Sequence, residues 1–310
     1  MRRFGGILLT TGLLLAIGCG GRKDGSVRID PALAPLVPSD TTVLAGVRME
    51  ALRNTPVYRK YAAEQKLPQL DEFVKRTGLD PRQDIWELLW AFNGKDYVAM
   101  VRGKFGPTGL EPELEKAGAK RLPYKGYSLI GSDELAIVFM NASVALAAKP
   151  ATLRSILDQR DNGGGRIPPA LARQIESVPA QSQIWVAALG PFPAFTVPLA
   201  KGDKLALPAQ IFATTASFTA FADLRTAVDV SATTVSVTEQ DAKRLHDTAR
   251  GVIGLGRLST PDARPELLRF YDGIQVEQQQ RSVRLHVQVS LDLFEKLLHS
   301  LPSRTRAPVR

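Results

Sequence analysis

The stretch Ser282-Val283-Arg284-Leu285-His286-Val287-Gln288-Val289 decides the fold class. Its apolar residues fall at every second position, with Arg284, His286 and Gln288 between them. Side chains alternate across a strand, so this one packs one face and wets the other, the habit of antiparallel sheet. Val228 and Val230 alternate with Asp229 and Ser231 in the same way, and Phe218, Ala220 and Ala222 alternate with Ser217, Thr219 and Asp223. Upstream, Asn93-Gly94 joins two apolar runs, 85–92 and 97–101, and supplies the positive φ values that a tight hairpin needs. Helical patterns sit between the strands. Thr238 can cap a segment that carries Ala242, Leu245, Ala249, Val252 and Ile253 on one face. Thr108 and Glu111 have capping-box spacing ahead of Leu114. Ser290 can cap 291–301, which turns Phe294, Leu297, Leu298 and Leu301 toward a core. Helices mixed with one-sided strands predict an α+β fold.

The chain divides near its middle at Asp161-Asn162-Gly163-Gly164-Gly165, a strong breaker. Val37-Pro38 precedes an expected strand over 42–47, and Val178-Pro179 precedes another over 183–189. Tyr124-Lys125-Gly126 and Tyr271-Asp272-Gly273 each lead into strands and then a helix, near 152–158 and 291–301. Matching order and spacing predict two related halves in tandem, each an antiparallel sheet with packed helices. The expected organisation is a signal peptide over 1–18, a lipidated flexible tether over 19–36, and a first α+β repeat over 37–160. A glycine-rich linker over 161–168, a second repeat over 169–302 and a basic tail over 303–310 complete it.

The first residues set the location. Arg2 and Arg3 precede an apolar run, Ile7 to Ile17, closed by small residues, which fits a removable secretory signal. That run is too short to span a bilayer. Ala16-Ile17-Gly18-Cys19 resembles the bacterial lipobox, although Ala16 stands where leucine is commonest and Leu15 lies one place earlier. The resemblance implies cleavage before Cys19 and diacylation of its thiol. An ordinary thiol is the alternative reading of Cys19. Stable anchoring takes more than one acyl chain. Gly20, with no aspartate at that place, implies by the same resemblance the outer membrane, with the body facing the periplasm. Further on, Arg102-Gly103-Lys104-Phe105 ends one strand, Tyr124-Lys125-Gly126 opens the next, and a short helix precedes the glycine break. This order is similar to that of uncharacterised bacterial envelope lipoproteins. The second half departs from it, with Ala222-Asp223-Leu224 at the corresponding place.

Charge and composition exclude several functions. The 310 residues carry 40 basic and 31 acidic side chains. Loss of Arg2 and Arg3 leaves 38 against 31, or +7. The basic residues are dispersed, a solvated surface that also suits anionic headgroups. No aromatic-basic recognition motif is present, so nucleic acid is not an expected partner. Cys19 is the one cysteine, and its acylation would leave no thiol for disulfides, thiolate zinc sites or cysteine nucleophiles.

Catalytic motifs fail on spacing. Gly126-Tyr127-Ser128-Leu129-Ile130-Gly131 places its second glycine one residue too far for a nucleophile elbow. His246, His286 and His299 do not form a helical metal pair. Gly94-Lys95 and Gly103-Lys104 lack the Ser or Thr and the loop glycine of a phosphate cradle. Gly251, Gly254 and Gly256 read as the end of a helix. No catalytic residue, metal or cofactor is expected.

Two apolar features remain. Trp86, Leu88, Trp90 and Phe92 share one strand face, while Ile85, Leu89 and Ala91 share the other with one charge, Glu87. The segment from Gly190 to Pro208 is rich in proline and aromatics, including Phe192 and Phe195, and is expected to make no regular ladder. Core packing is the plainer reading of both. The sharper one assigns Trp86, Trp90, Phe192 and Phe195 to a surface for an apolar ligand or a partner. The expectation is therefore a lipid-anchored envelope protein with a non-catalytic binding or scaffolding role toward an unidentified envelope protein. The alternative is a carrier or chaperone for an apolar ligand such as a lipid.

Overall fold

Two strands that each follow a Val-Pro dipeptide meet at the centre of the molecule. In the computed structural model, which describes residues 25–63, 68–106, 110–116, 118–192, 196–198, 204–206 and 213–300, β1 (Val43–Arg48) pairs antiparallel with β8 (Ile184–Leu189). From β1 the sheet runs outward through β2 (Ile85–Phe92), β3 (Tyr97–Gly103), β7 (Val144–Ala148), β6 (Ala136–Asn141), β5 (Tyr127–Gly131) and β4 (Lys120–Tyr124). From β8 it runs through β11 (Thr215–Asp223), β12 (Val228–Ser236), β14 (Ser282–Val289) and β13 (Ile274–Gln279). The fold is α+β. The strands of both halves form one twelve-stranded antiparallel sheet, because their first strands join edge to edge. The five-strand order β1-β2-β3-β7-β6 is repeated by β8-β11-β12-β14-β13, and each series ends in a helix, Pro150–Asp161 and Leu291–Ser300.

The landmarks divide. Both Val-Pro dipeptides lead into the seam strands. Tyr124-Lys125-Gly126, however, spans the turn of the β4–β5 hairpin, with Lys125 at φ 48° and Gly126 at φ 80°. Tyr271-Asp272-Gly273 closes the helix Pro265–Asp272 ahead of β13. In the repeated order β13 corresponds to β6, so the two tokens are not equivalent. Short tokens carry no information about which strand neighbours which.

Register explains how the sheet is covered. Leu44, Leu89, Met100, Leu146 and Trp185 lie on one face and are buried. The helix Pro150–Asp161 adds Leu153, Ile156 and Leu157 to that core, and Pro169–Ile175 adds Leu171 and Ile175. On the opposite face, the helix Glu239–Leu258 packs over β12, β13 and β14, where Val283, Val287 and Val289 are buried. Its start obeys the expected cap, the Asp241 N–H donating to Thr238 Oγ1 at 3.1 Å. It does not end at its glycines. The helix continues through Gly251, Gly254 and Gly256 to Leu258, and a Cβ at Gly256 would overlap the ring of Tyr271. That glycine admits a neighbouring helix rather than terminating its own.

Residues 27–36 are no flexible tether. Val27, Leu33 and Leu36 enter the core, and Ala34–Leu36 form a 3₁₀ turn. The Val27 N–H donates to Val178 O at 2.9 Å, and the Ala180 N–H to Gly25 O at 2.7 Å. The segment's apolar residues follow neither helical nor strand period, which is why the sequence hid this strap. The glycine-rich segment is packed as well: the Gly165 N–H donates to Pro35 O at 2.7 Å, and Gly163 and Gly164 adopt positive φ. Within the stretch expected to lack a ladder, β9 (Thr196–Pro198) pairs antiparallel with β10 (Lys204–Ala206). Pro198 occupies the end of its three-residue strand, where a missing donor costs least. The leader, Cys19, the Thr108 cap, Phe195 and the tail lie outside the described residues. Among the described residues, no helix is long and apolar enough to cross a membrane.

Candidate functional site

β2 begins with an irregularity. Ile85 pairs with Gly103 and Glu87 with Arg102, so Trp86 is an extra residue in the ladder. Such a bulge re-aims the side chains beside it. Here Trp86 and Glu87 line the same cleft of about 410 Å³. Its other walls are the strap (Arg28, Asp30), β1 (Arg48), the helix Met49–Arg53 (Glu50) and β3 (Arg102). Arg102 sits over the Trp86 ring at 5.3 Å and reaches Asp30 at 3.3 Å and Ser143 O at 3.0 Å. Arg48 donates to Ala180 O. Both arginines flank Glu87 across the ladder, yet each hydrogen-bonds elsewhere.

Glu87 is therefore a half-buried carboxylate that forms no ion pair among the described residues. Burial pushes its carboxyl up to about 6, and the Asp30 charge pushes the same way; the Asp30 N–H and Arg48 pull against both. A perturbed carboxyl in a cleft is a candidate site. The lining consists of three acids, three arginines, Asn54, Trp86 and the apolar Ile29, Pro31 and Ala51, with no hydroxyl or thiol nucleophile among them. The arrangement can bind a polar ligand and exchange a proton near pH 6.

The sign of the pH effect follows. Glu87 titrates at 4.5 ordinarily and at about 6 in the fold, so the folded chain holds the proton more tightly. Its stabilising share is fully present below pH 4.5 and is lost as pH rises through 6. The full linkage would be about 2 kcal/mol, and water at the cleft mouth reduces it to roughly 1 kcal/mol. Glu87→Gln keeps the shape without the charge. Thermal melts at pH 4.5 and 7.5 should show the variant gaining about 1 kcal/mol on the parent at the higher pH only. Parallel shifts of parent and variant would contradict this assignment.

The aromatic row is a separate feature. Trp90 and Phe92 point to the face opposite Leu89 and Ala91, with Tyr97 directly across from Phe92 and Ile184 reached through Val47. Trp90 is 40% exposed, Phe92 36%, Tyr97 49% and Ile184 38%. They lie on β2, β3 and β8, at or beside the seam and not on the strands β12–β14 that the helix covers. Of the residues expected to form one surface, Trp86 is thus in the polar cleft and Trp90 in the exposed row. Phe192 is half-buried just beyond the cis Gly190–Pro191 bond, and Phe195 and Cys19 lie outside the described residues. Sequence reading placed neither Asp30 nor Arg102 in a site: Asp30 carries no local signal, and Arg102 stood only in the string Arg102-Gly103-Lys104-Phe105. Glu87 had one: it is the single charge on an otherwise apolar strand face.

A second cleft, of about 470 Å³, lies between the β2–β3 hairpin tip, 38–41 and the helix Pro150–Asp161. Its charged groups are internally paired, Asn93 Nδ2 with Asp40 at 2.7 Å and Lys149 with Asp96 at 3.5 Å, and Phe92 and Tyr97 also line it. Among the described residues, no three of His, Cys, Asp and Glu gather into a group that could hold a metal ion.

No protein-family model matches the chain, and no curated protein matches it. Solved structures of TP0453, a treponemal protein, are similar in fold at a low level. Crystal form I is 14% identical with a TM-score of 0.46, covering 90% of this chain and 100% of that one. Crystal form III is 12% identical with a TM-score of 0.48, covering 88% and 99%. A likeness this loose carries no inference about function.

Proposed function

We propose that the chain is a lipid-anchored protein of the bacterial cell envelope that acts by binding a partner protein and performs no catalysis. The observation that carries this reading is the exposed row of Trp90, Phe92, Tyr97 and Ile184. An apolar patch left open on a folded body marks an interaction surface, and aromatic side chains are the commonest anchors of such interfaces. The leader and Cys19 supply the location: a lipid on the Cys19 sulfur, cleavage before it, and an outer-membrane position facing the periplasm. Five residues, and so six Cα-to-Cα steps, separate Cys19 from Gly25, where the chain is already hydrogen-bonded to Ala180. They reach at most about 20 Å, so a lipid at Cys19 would hold the body close to the bilayer.

A carrier for an apolar ligand fits less well. The cleft at Glu87 is walled mainly by charged and polar side chains, the second cleft mixes Phe92, Tyr97 and Ile156 with polar groups, and Trp90 stands open to solvent. Capture from solubilised envelopes tests the binding role. The parent chain should bring down the same protein repeatedly, and Trp90→Glu, which leaves the buried face untouched, should lose at least nine-tenths of it. A parent recovered alone at native abundance, or a Trp90→Glu chain that captures equally well, overturns the reading.

A further inference from the structure

The two outer edges of the sheet are treated differently. β4 contains Lys120, Arg121 and Pro123, and Arg121 is clamped by Glu111 at 3.1 Å and by Glu115. Lysine and proline are the usual means of keeping a strand edge from pairing. β13 at the other end reads Ile274-Gln275-Val276-Glu277-Gln278-Gln279, with no proline and one charge. Among the described residues, no backbone group of β13 bonds to anything but β14.

The hairpin turn fixes which groups point outward. Gln279 opposes Ser282 across a two-residue turn, Gln280 at φ 51° then Arg281. A two-residue turn makes its closing pair a hydrogen-bonded one, and such pairs alternate along the ladder. The backbone of Gln275, Glu277 and Gln279 therefore turns to β14, and that of Ile274, Val276 and Gln278 faces solvent.

We infer that β13 is a homodimer edge, pairing antiparallel with β13 of a second copy across a two-fold axis at Val276. That register sets Val276 against Val276 and Ile274 against Gln278, giving about six inter-chain bonds. It sets Gln275 against Glu277, a neutral donor against a carboxylate. The register one pair along would oppose Glu277 to Glu277, and like charges directly opposite disfavour it. Glu277 already has Arg284 across its own ladder. The chain joins its own halves in the same manner, by antiparallel pairing of β1 with β8. Neither the lipid nor the aromatic row enters this inference.

Cross-linking of the full-length chain in its own membranes tests it. Val276→Cys places two thiols directly opposite each other at about 5.5 Å between Cα atoms, within reach of a disulfide. Mild oxidation should give a covalent dimer from this variant, and at least tenfold less from Arg281→Cys at the hairpin tip. Adding Gln275→Glu to Val276→Cys opposes two carboxylates in each half of the interface and should lower the dimer about tenfold. Further addition of Glu277→Gln should restore it, which a folding defect would not do. Equal cross-linking at 276 and 281, no dimer at 276, or indifference to the charge pair overturns the proposal.

Discussion

Trp185→Ala should destabilise the folded chain by about 3–5 kcal/mol, a large share of the 5–15 kcal/mol that a domain has. Trp185 is 2% exposed and lies on β8 directly opposite Gly46 of β1. The indole fills the space that the glycine leaves, and a Cβ at Gly46 would overlap the ring. Each residue requires the other, and both lie on the seam between the two halves. Truncating the indole leaves a cavity walled by the strands that hold the halves together. Gly46→Ala makes the opposite error and should cost about 1–3 kcal/mol by overpacking. Adding Gly46→Ala to Trp185→Ala should cost less than the sum of the two, because the methyl enters vacated space. Denaturant melts of the three variants measure this. Strict additivity, or a Trp185→Ala loss below about 1 kcal/mol, would mean that the seam is not where the core is concentrated.

Cys19→Ser should move the chain from the membrane pellet to the soluble fraction almost completely. Each buried acyl methylene contributes about 0.8 kcal/mol, and two chains together give stable anchoring where one gives marginal binding. No described helix could substitute for them as a span. Serine preserves the size of the side chain and removes the sulfur that the proposed lipid would need. The described body begins at residue 25 and contains no other cysteine, so its melting behaviour should not change. A membrane-bound fraction that survives Cys19→Ser would require the exposed row at Trp90 or the basic surface to do the holding.

The fold was legible where period and burial coincide. β14 alternates because one side packs under the helix Glu239–Leu258 and the other carries Arg284 and Gln288 into solvent. Asn93-Gly94 marked the β2–β3 hairpin because Gly94 must adopt φ 96°. What stayed hidden depends on contacts distant in sequence. Nothing near Val43 or Ile184 states that β1 and β8 pair, so two sheets were as readable as one. The strap 27–36 was hidden because Val27, Leu33 and Leu36 have no period; the 34–36 turn packs on the helix Pro150–Asp161 and Val27 bonds to Val178, each more than a hundred residues away. Trp86 and Trp90 read as one stripe because a bulge leaves no mark in the pattern, and that bulge separates the polar cleft from the exposed row. Glu87 was visible as an odd charge, but its environment is made by Asp30, Arg48 and Arg102 from three other segments.

Intact mass of the chain extracted from membranes addresses the anchoring directly. A polypeptide that starts at residue 19 and carries acyl chains on that cysteine is the predicted result. An unacylated chain in the pellet, or one that retains the leader through Met1, would contradict a body tethered by lipid at that sulfur.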